Sequence, residues 1–317
     1  DFIAVDGPDE AAFNRMALRL FAYQFENNKP FAKFIRARGK TPRTVQSWTD
    51  IPAVPINAFK TLDLTCCPHV DAVAVFMTSG TTLGGLRGKS YHSTLEVYDA
   101  SMSRNFAKRF MVGREQMDMG ILFPTTAMMP NSSLAHYLSL AVQTFGTSGS
   151  AHLIGDDGID FERLMADLTR AEETGQPYGL LGASFSLVHV LDELQRRGQT
   201  VRLPEGSRIL DTGGFKGQSR ELDLDEFYDA LYHTFGVPRS HCINMYGMTE
   251  LSTQFYDDGN TVCPSVKSGP HWIRTRVVNP LTGAAVAKGK AGVLARTDLA
   301  HFNIVTTILT EDAGIET

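Results

Sequence analysis

The chain has 317 residues, of which 43% are hydrophobic and 21% are charged, and its formal net charge is −5. This composition is typical of a globular protein and excludes a disordered or fibrous chain, and the length allows one large or two fused α/β domains. The negative charge and the scattered basic residues argue against a nucleic-acid partner. Four irregularly spaced cysteines, no apolar run of membrane-spanning length and no signal peptide favour a cytoplasmic location.

The predicted elements begin with two helices over residues 9–38, followed by an extended, proline-containing segment at 50–60. A strand at 70–78 leads into a Gly/Thr-rich loop, and a helix is expected over 94–109. Beyond residue 118, apolar runs alternate with helical patterns. The expected strands there cover 118–123, 151–154, 178–181 and 208–212, and the expected helices cover 134–143, 159–173, 185–197 and 225–235. Such alternation predicts parallel sheets covered by helices.

The helical spacing disappears after about residue 261, where short apolar runs are separated by Gly and Pro turns. Runs of this kind are typical of short strands. We therefore expect an α/β body over residues 1–260 and a β-rich subdomain over residues 261–317.

The Gly/Thr-rich loop is the most informative segment of the sequence. It leaves an apolar strand, as ligand-binding loops of α/β proteins do. Its glycines let backbone amides approach a phosphate, its hydroxyls add hydrogen-bond donors, and Arg87 and Lys89 supply positive charge. The loop residues concerned are Thr78, Ser79, Gly80, Thr81 and Thr82. A plain surface loop is the alternative interpretation of the same pattern.

Two other nucleotide-binding or catalytic motifs are incomplete in this sequence. Gly88, Lys89 and Ser90 resemble the end of a Walker A loop, but Leu83 stands where the first glycine of that loop belongs. The register matters because consecutive amides wrap the phosphates, so a P-loop kinase is disfavoured. Residues 182–186 lack the second glycine of a nucleophile elbow, which argues against a serine hydrolase.

Two segments resemble motifs of the adenylate-forming superfamily, which includes acyl-CoA synthetases, peptide-synthetase adenylation domains and luciferases. Residues 78–89 resemble its Thr-Ser-Gly-Thr-Thr-Gly loop, with Leu83 in place of the second glycine, and residues 244–250 resemble its Tyr-Gly-x-Thr-Glu motif. Segments 51–60, 212–217 and 225–228 are closer to the acyl-protein synthetase branch of bacterial bioluminescence fatty-acid reductases. Phenylacetate–CoA-ligase-like enzymes are the next most similar group, and the resemblance extends from about residue 45 to residue 317.

The resemblance implies the large N-terminal domain of an adenylate-forming enzyme, with an α/β fold of two helix-covered, mostly parallel sheets plus a β-rich subdomain. It implies ATP and Mg²⁺ as cofactors, and activation of a fatty or aromatic carboxylic acid to an acyl-adenylate with release of pyrophosphate. The acyl group then passes to a thiol, on coenzyme A, a protein cysteine, or an acyl-accepting or reductase partner protein. The small C-terminal lid domain of the family is expected to be absent from this chain.

Residue roles follow from the resemblance position by position. The loop at 78–82, with Lys89, would wrap the β- and γ-phosphates of ATP. Thr249 would bind the α-phosphate and Glu250 would hold Mg²⁺. Asp312 would accept a ribose hydroxyl, although Glu311 replaces the glycine that usually precedes it. The remaining nucleotide contacts are Gly213, Gly214, Phe215, Gly247 and Tyr246, whose ring would stack on the adenine, and the substrate pocket would include His136, Ser184 and Met248.

Structural interpretations stay open for several of these residues. Tyr246 could be a core aromatic residue, Glu250 could stabilise a helix start, and His136 could be a satisfied structural histidine. For the whole chain, the alternative is a degenerate nucleotide-binding scaffold subunit of a larger biosynthetic complex. An intact Thr249–Glu250 pair argues against a scaffold, which needs no metal ligand. None of the four cysteines is expected to carry the acyl group.

Overall fold

The computed structural model describes residues 2–4, 7, 9–79, 85–215, 217 and 219–317. The helices are α1 (Glu10–Asn27), α2 (Lys29–Ala37), α3 (Glu96–Phe106), α4 (Ser133–Phe145), α5 (Phe161–Thr174), α6 (Ser184–Arg197) and α7 (Leu224–Phe235). The strands are β1 (Val54–Pro55), β2 (Ala74–Met77), β3 (Lys89–His92), β4 (Asp118–Leu122), β5 (Ala151–His152), β6 (Ile154–Gly155), β7 (Gly158–Ile159), β8 (Tyr178–Ala183), β9 (Arg208–Thr212), β10 (Cys242–Tyr246), β11 (Phe255–Tyr256), β12 (Ile273–Val278), β13 (Ala291–Asp298) and β14 (Thr307–Ile315).

The N-terminal helices α1 and α2 pack against the C-terminal part of the chain as well as against segments close to them in sequence. Asp9 caps α1 by accepting a hydrogen bond from the Ala11 N–H, and Asn28 ends α1 and caps α2 in the same way. The apolar faces of both helices share one core with Trp272, which precedes β12, and with Ile308 of β14. The division at residue 260 stays a prediction, but this packing joins the two ends of the chain in one hydrophobic core.

The central sheet has the strand order β11-β10-β9-β8-β4-β5, and all its pairs are parallel except β10 with β11. Every residue of β8 is buried, as expected for a parallel strand with helices on both faces. Helices α5, α6 and α7 contribute to the core on one face, and α3 and α4 contribute to the core on the other. The predicted strand–helix alternation is thus confirmed, and its strands form one sheet.

The second sheet contains three strands after residue 261, where the sequence predicts β-rich structure, and it is mainly antiparallel. Its order is β1-β14-β13-β12, and β13 runs antiparallel to both of its neighbours. Strands that follow one another through short turns pair as hairpins, whereas parallel pairing needs a long crossover. The parallel pair is β1 with β14. The segment at 50–60 is extended at Ile51 and at β1 and then forms a 3₁₀ helix over Ile56–Lys60.

The β2–β3 hairpin carries the Gly/Thr-rich loop. Hydrogen bonds from Asn131 fix the position of the hairpin. Asn131, in the loop before α4, donates from Nδ2 to the Val75 carbonyl and accepts from the Met77 N–H, both at 2.8 Å. Parallel pairing of Met245 with Thr212, and of Thr212 with Ala183, brings the ends of β8, β9 and β10 to the same sheet edge.

Within the described ranges, none of the helices is both long and apolar enough to cross a bilayer.

Candidate active site

A cavity of about 1200 Å³ opens at the carboxyl edge of the central sheet. This edge is where α/β proteins place their ligands, and the volume exceeds that of an ordinary small-molecule pocket. Its polar and glycine lining consists of Thr78, Ser79, Arg87, Asn131, Ser132, Ser133, Ser186, Thr212, Gly213, Gly214, Asn244, Gly247, Thr249 and Gln254. Its apolar and aromatic lining consists of Met77, Tyr98, Phe123, Pro124, Met128, Met129, Pro130, Leu134, Tyr137, Ile154, Ala183, Phe185, Met245, Tyr246 and Met248.

The base of the predicted phosphate loop is closed by two hydrogen bonds. The Thr78 N–H donates to the Gly88 carbonyl at 3.0 Å, and the Gly88 N–H donates to Thr78 Oγ1 at 2.9 Å. Ser79 and Arg87 then stand on the cavity wall. Lys89 does not: it pairs with Met77 across the hairpin and its side chain is exposed. The predicted loop residues Gly80, Thr81 and Thr82 lie outside the described residues.

Glu250 lies in the turn after β10, beside the base of this loop, and is 4% exposed. A Cβ atom at position 88 would stand 3.1 Å from Glu250 Oε1, so the carboxylate lies directly against Gly88 at the base of the loop. Burial raises the pKa of Glu250 to about 7; a backbone hydrogen bond and the Lys60 cation lower it in part, and the carboxylates of Asp312 and Glu311 raise it. The protein therefore compensates a negative charge at Glu250 poorly.

Tyr246 is half-buried on the cavity wall rather than enclosed in the core. Its hydroxyl donates to Asp312 Oδ2, which brings the exposed carboxylate of β14 to the site. The Arg296 guanidinium lies 5.4 Å from the centroid of the Tyr246 ring and 3.9 Å from that of Phe255. Arg296 thus makes cation–π contacts with both rings, which also pack edge to face with each other.

Gly213 and Gly214 follow β9 and are both exposed on the cavity lining. Gly213 has a φ of +78°, a conformation that side chains rarely adopt. Gly214 has no such constraint, and a Cβ atom there would meet no described atom within 4 Å. The protein itself thus does not require glycine at position 214. Phe215 packs away from the cavity, with its ring 5.2 Å from that of Phe227.

Of the predicted substrate-pocket residues, Met248 lines the main cavity. His136 lines a separate cavity of about 240 Å³, with its Nε2 atom 2.7 Å from Asp99 Oδ1. Ser184 is 2% exposed and donates to Asp211 Oδ2 at 2.8 Å, so it points into the sheet. The rotation of α6 turns the neighbouring Phe185 towards the cavity instead.

Asp211 is at the centre of a buried hydrogen-bond network directly behind the cavity wall. The sequence-based expectations assign it no role. It accepts hydrogen bonds from Ser184, Tyr228 and Asn244, and Asn244 lines the cavity. A signal was present, because an acidic residue inside the apolar run 208–212 must be paired when buried. Arg296 is a similar case, because it is a charged residue that is buried within β13.

The described residues hold no cluster of three or more His, Cys, Asp or Glu side chains that could bind a metal ion by itself. Mg²⁺ usually takes one or two carboxylates together with phosphate oxygens. Glu250, buried and poorly compensated beside the loop, fits such a donor set when a polyphosphate supplies the other oxygens.

Comparison with protein families gives one match over nearly the whole chain: the family described as acyl-protein synthetase, LuxE, matches residues 5–317. Two long-chain-fatty-acid–luciferin-component ligases are similar in sequence. That of Vibrio harveyi is 26% identical over 308 residues, covering 95% of this chain and 78% of the relative. That of Aliivibrio fischeri is 24% identical over 328 residues, covering 99% of this chain and 84% of the relative.

Solved structures resemble the fold. An open conformation of 2-hydroxyisobutyryl-CoA ligase, bound to 2-HIB-AMP and CoA, superposes with a TM-score of 0.68 at 13% identity, over 96% of this chain and 69% of that chain. ATP-bound MatB from Rhodopseudomonas palustris gives a TM-score of 0.52 at 19% identity, over 82% and 45%. The predicted α/β fold class is thereby confirmed, and the chain shares its fold with these structures.

Proposed function

Because the chain belongs to the acyl-protein synthetase, LuxE, family, we propose that it activates a fatty acid with ATP and passes the acyl group to a thiol. Family membership confirms the branch that the motifs at 78–89 and 244–250 indicate, and with it an acid–thiol ligase. The relatives are named for long-chain fatty acids, which favours these over aromatic acids as the substrate here.

One observation carries the site assignment. A large cavity is lined by the base of the phosphate loop, by the glycines after β9 and by the Tyr246–Thr249 turn, and a buried carboxylate lies beside the loop. One nucleotide can touch all three segments, since they border the same space. The juxtaposition supports an ATP site built as the motifs predict.

The nucleotide is proposed to lie across the ends of β9 and β10. Its base would rest on Gly213 and Gly214, where the protein leaves open space, and against the ring of Tyr246. Asp312, already accepting a hydrogen bond from Tyr246, would accept the ribose hydroxyls. The bare Gly214 surface supports this placement, because its lack of a side chain serves no packing need of the protein.

The polyphosphate is proposed to meet Ser79, Arg87 and Thr249. Hydroxyl donors and a guanidinium offset the repulsion that arises when a carboxylate approaches an α-phosphate. Glu250 would hold Mg²⁺, which would supply positive charge to the phosphate oxygens when bound. Lys89, exposed on β3 in the described conformation, is the least supported of the predicted phosphate ligands.

The fatty acid is proposed to lie on the apolar side of the cavity, along Phe123, Met128, Met129, Leu134 and Phe185. Methionines adapt to flexible chains because they are unbranched and polarizable. A carboxylate oxygen would form a bond to the α-phosphorus, and the bond to the bridging oxygen would break, leaving its electron pair on pyrophosphate. The acyl chain would remain on AMP as a mixed anhydride.

The acyl acceptor is proposed to be a thiol other than the cysteines of this chain, on coenzyme A or on a partner protein. Burial raises the pKa of the Cys66 thiol to about 12 and raises that of the fully buried Cys242 as well. Both therefore stay protonated and are poor nucleophiles. A cytoplasmic location and a reductase partner remain predictions.

The test is carboxylate-dependent exchange of labelled pyrophosphate into ATP, with palmitate, octanoate and phenylacetate compared. We expect exchange that depends on the fatty acid. ATP binding without exchange for any acid would instead identify a nucleotide-binding scaffold. After incubation with labelled acid, hydroxylamine-sensitive label on Cys67 or Cys242 would contradict the external acceptor.

A further inference from the structure

The basic segment, residues 27–49, differs in charge from the rest of the chain. All charged residues between Glu26 and Asp50 are basic, although the formal net charge of the whole chain is −5. The residues are Lys29, Lys33, Arg36, Arg38, Lys40 and Arg43. Lys40 is half-buried and the others are exposed. A positive surface thus lies on a protein that is negative as a whole.

Three of these cations lie on one face of α2. Lys29, Lys33 and Arg36 are spaced at i, i+4 and i+7, which places them on the same side of the helix. Phe31 and Ile35 lie on another side and are buried in the core that the N-terminal helices share with the second sheet. Packing of that apolar side therefore holds the basic face of α2 in solvent.

The basic segment has no acidic partner within the part of the chain that the structure describes. Its cations form no ion pair there, and the acidic side chains at the start of α1 pair with other cations. Asp9 pairs with Arg15 at 3.8 Å and Glu10 with Arg274 at 3.4 Å. Like charges at i and i+4 on a helix repel. An external anionic surface would offset this repulsion.

Two aromatic rings lie under guanidinium groups of the basic segment. Arg36 lies 4.7 Å from the centroid of the Phe25 ring, and Arg38 lies 3.6 Å from that of the Phe34 ring. Both rings are half-buried. Long basic side chains can cover such apolar surface while their charged ends reach polar groups outside. Because the apolar side of α2 is packed in the core, the segment can bind a surface by charge but cannot insert the helix.

We propose that the basic segment docks the protein on the anionic surface of a phospholipid membrane. Four to eight Lys and Arg residues on an amphipathic helix are the pattern that binds anionic headgroups. A long-chain fatty acid partitions into membranes, which favours a lipid surface over an acidic protein as the partner. This choice of partner rests on the proposed function, whereas the docking itself needs no catalysis.

Co-sedimentation with vesicles tests the docking in the absence of ATP and fatty acid. The full chain is mixed with vesicles of phosphatidylglycerol and phosphatidylcholine, or with vesicles of phosphatidylcholine alone. We expect binding to the mixed vesicles only, and its loss between about 0.05 and 0.5 M NaCl, because salt screens exposed charges. Equal binding to both kinds of vesicle, or binding that salt does not weaken, would overturn the proposal.

The triple variant Lys29→Gln/Lys33→Gln/Arg36→Gln removes the basic face of α2. Each basic residue near an anionic surface strengthens binding about fivefold, so the partition constant should fall about 100-fold. Urea denaturation of the variant checks that it is folded. Unchanged vesicle binding by the folded variant would overturn the proposal, and the salt dependence of the wild type decides the question if the variant does not fold.

The matched control is Lys108→Gln/Lys288→Gln/Lys290→Gln, which removes three exposed positive charges elsewhere on the protein. It changes the net charge by the same amount and should keep vesicle binding within about threefold of the wild type, since distant exposed charges are screened. Equal losses in the two triple variants would attribute the binding to net charge and overturn the role of the basic segment.

Immobilised poly-glutamate is the probe for an acidic protein partner. Retention on poly-glutamate that requires the basic face of α2, together with no binding to anionic vesicles, would overturn the membrane in favour of such a protein. The proposed function is judged separately. Vesicle binding without fatty-acid-dependent pyrophosphate exchange would refute the adenylation activity and leave the docking intact, and exchange without vesicle binding would refute the docking alone.

Discussion

Two buried carboxylates, Asp211 and Glu250, lie at the same edge of the central sheet in opposite electrostatic situations. Burial raises the pKa of both, to about 6 for Asp211 and to about 7 for Glu250. The donors Ser184, Asn244 and Tyr228 lower the pKa of Asp211 in part. Around Glu250, a backbone hydrogen bond and the Lys60 cation lower the pKa, and the carboxylates of Asp312 and Glu311 raise it.

The difference separates a carboxylate that the protein satisfies from one that a ligand must satisfy. A buried acid surrounded by its own donors fixes geometry, whereas a buried acid without compensation costs stability in the free protein. Such a cost persists at sites where a bound cation or substrate later offsets it. The roles follow from this contrast: Asp211 holds its donors in place, and Glu250 is proposed to bind a metal–nucleotide complex.

Glu250→Gln gives the largest expected effect. The amide keeps the shape but loses the charge that holds Mg²⁺, so fatty-acid-dependent pyrophosphate exchange should fall about 1,000-fold, as for loss of one preorganised electrostatic group. Glu311→Gln is the control, because it neutralises an exposed acid nearby and should change exchange less than about threefold. Near-normal exchange in Glu250→Gln would remove this residue from the mechanism.

Asp211→Ala should show the opposite profile, with a large loss of stability. It leaves the buried donors of Tyr228 and Asn244 without their partner, and we expect the free energy of unfolding to fall by about 3–4 kcal/mol. Urea denaturation at pH 8 measures it. Glu250→Gln should not lose stability under the same conditions, and comparable destabilisation of both variants would break the contrast.

The pH dependence of stability sharpens the comparison further. The pKa of Glu250 is about 7 in the folded chain against an ordinary 4.5. A raised carboxyl pKa contributes stability that is present below pH 4.5 and is lost as pH rises through 7. Relative to Glu250→Gln, the wild type should therefore lose up to about 3 kcal/mol between these pH values.

This measurement is made without metal or nucleotide, by urea denaturation at pH 4.5, 6 and 8. Saturating Mg²⁺ and ATP at pH 8 should then stabilise the wild type more than Glu250→Gln, because only the wild type offers the charge. A constant difference between the two proteins across the pH range would show that the Glu250 carboxylate is already compensated.

The sequence predicts which segments meet at the site because parallel strands end at one edge. Residues 213–214 and 246–249 lie at the ends of two such strands, β9 and β10, whereas residues 78–79 follow β2 of the antiparallel hairpin; all three segments line one cavity. What it does not predict is side-chain direction. Ser184 and Phe185 are neighbours, and only the rotation of α6 decides that the serine faces Asp211 and the phenylalanine faces the cavity.

Contacts between segments that are far apart along the chain are also not predicted from the sequence. The sheet formed by the strands after residue 261 also recruits β1 from residues 54–55, and the N-terminal helices share its core. Arg296 and Asp312 reach Tyr246 only through this sheet. Local periodicity carries no information on such pairings, which depend on which apolar faces are left to cover one another.

The smallest expected effect distinguishes two adjacent glycines. Gly213→Ala puts a side chain at a φ of +78°, and the strain should lower the free energy of unfolding by about 1 kcal/mol. Gly214→Ala meets open space and has no such strain, so stability should change by less than about 0.5 kcal/mol.

Binding should reverse this order. If the nucleotide base rests on Gly214, the added methyl group occupies the volume of the base, and the dissociation constant for ATP should rise at least about tenfold despite unchanged stability. Calorimetric titration with ATP, beside urea denaturation of the same samples, measures both quantities. A Gly214→Ala variant that binds ATP as the wild type does would move the base away from the end of β9.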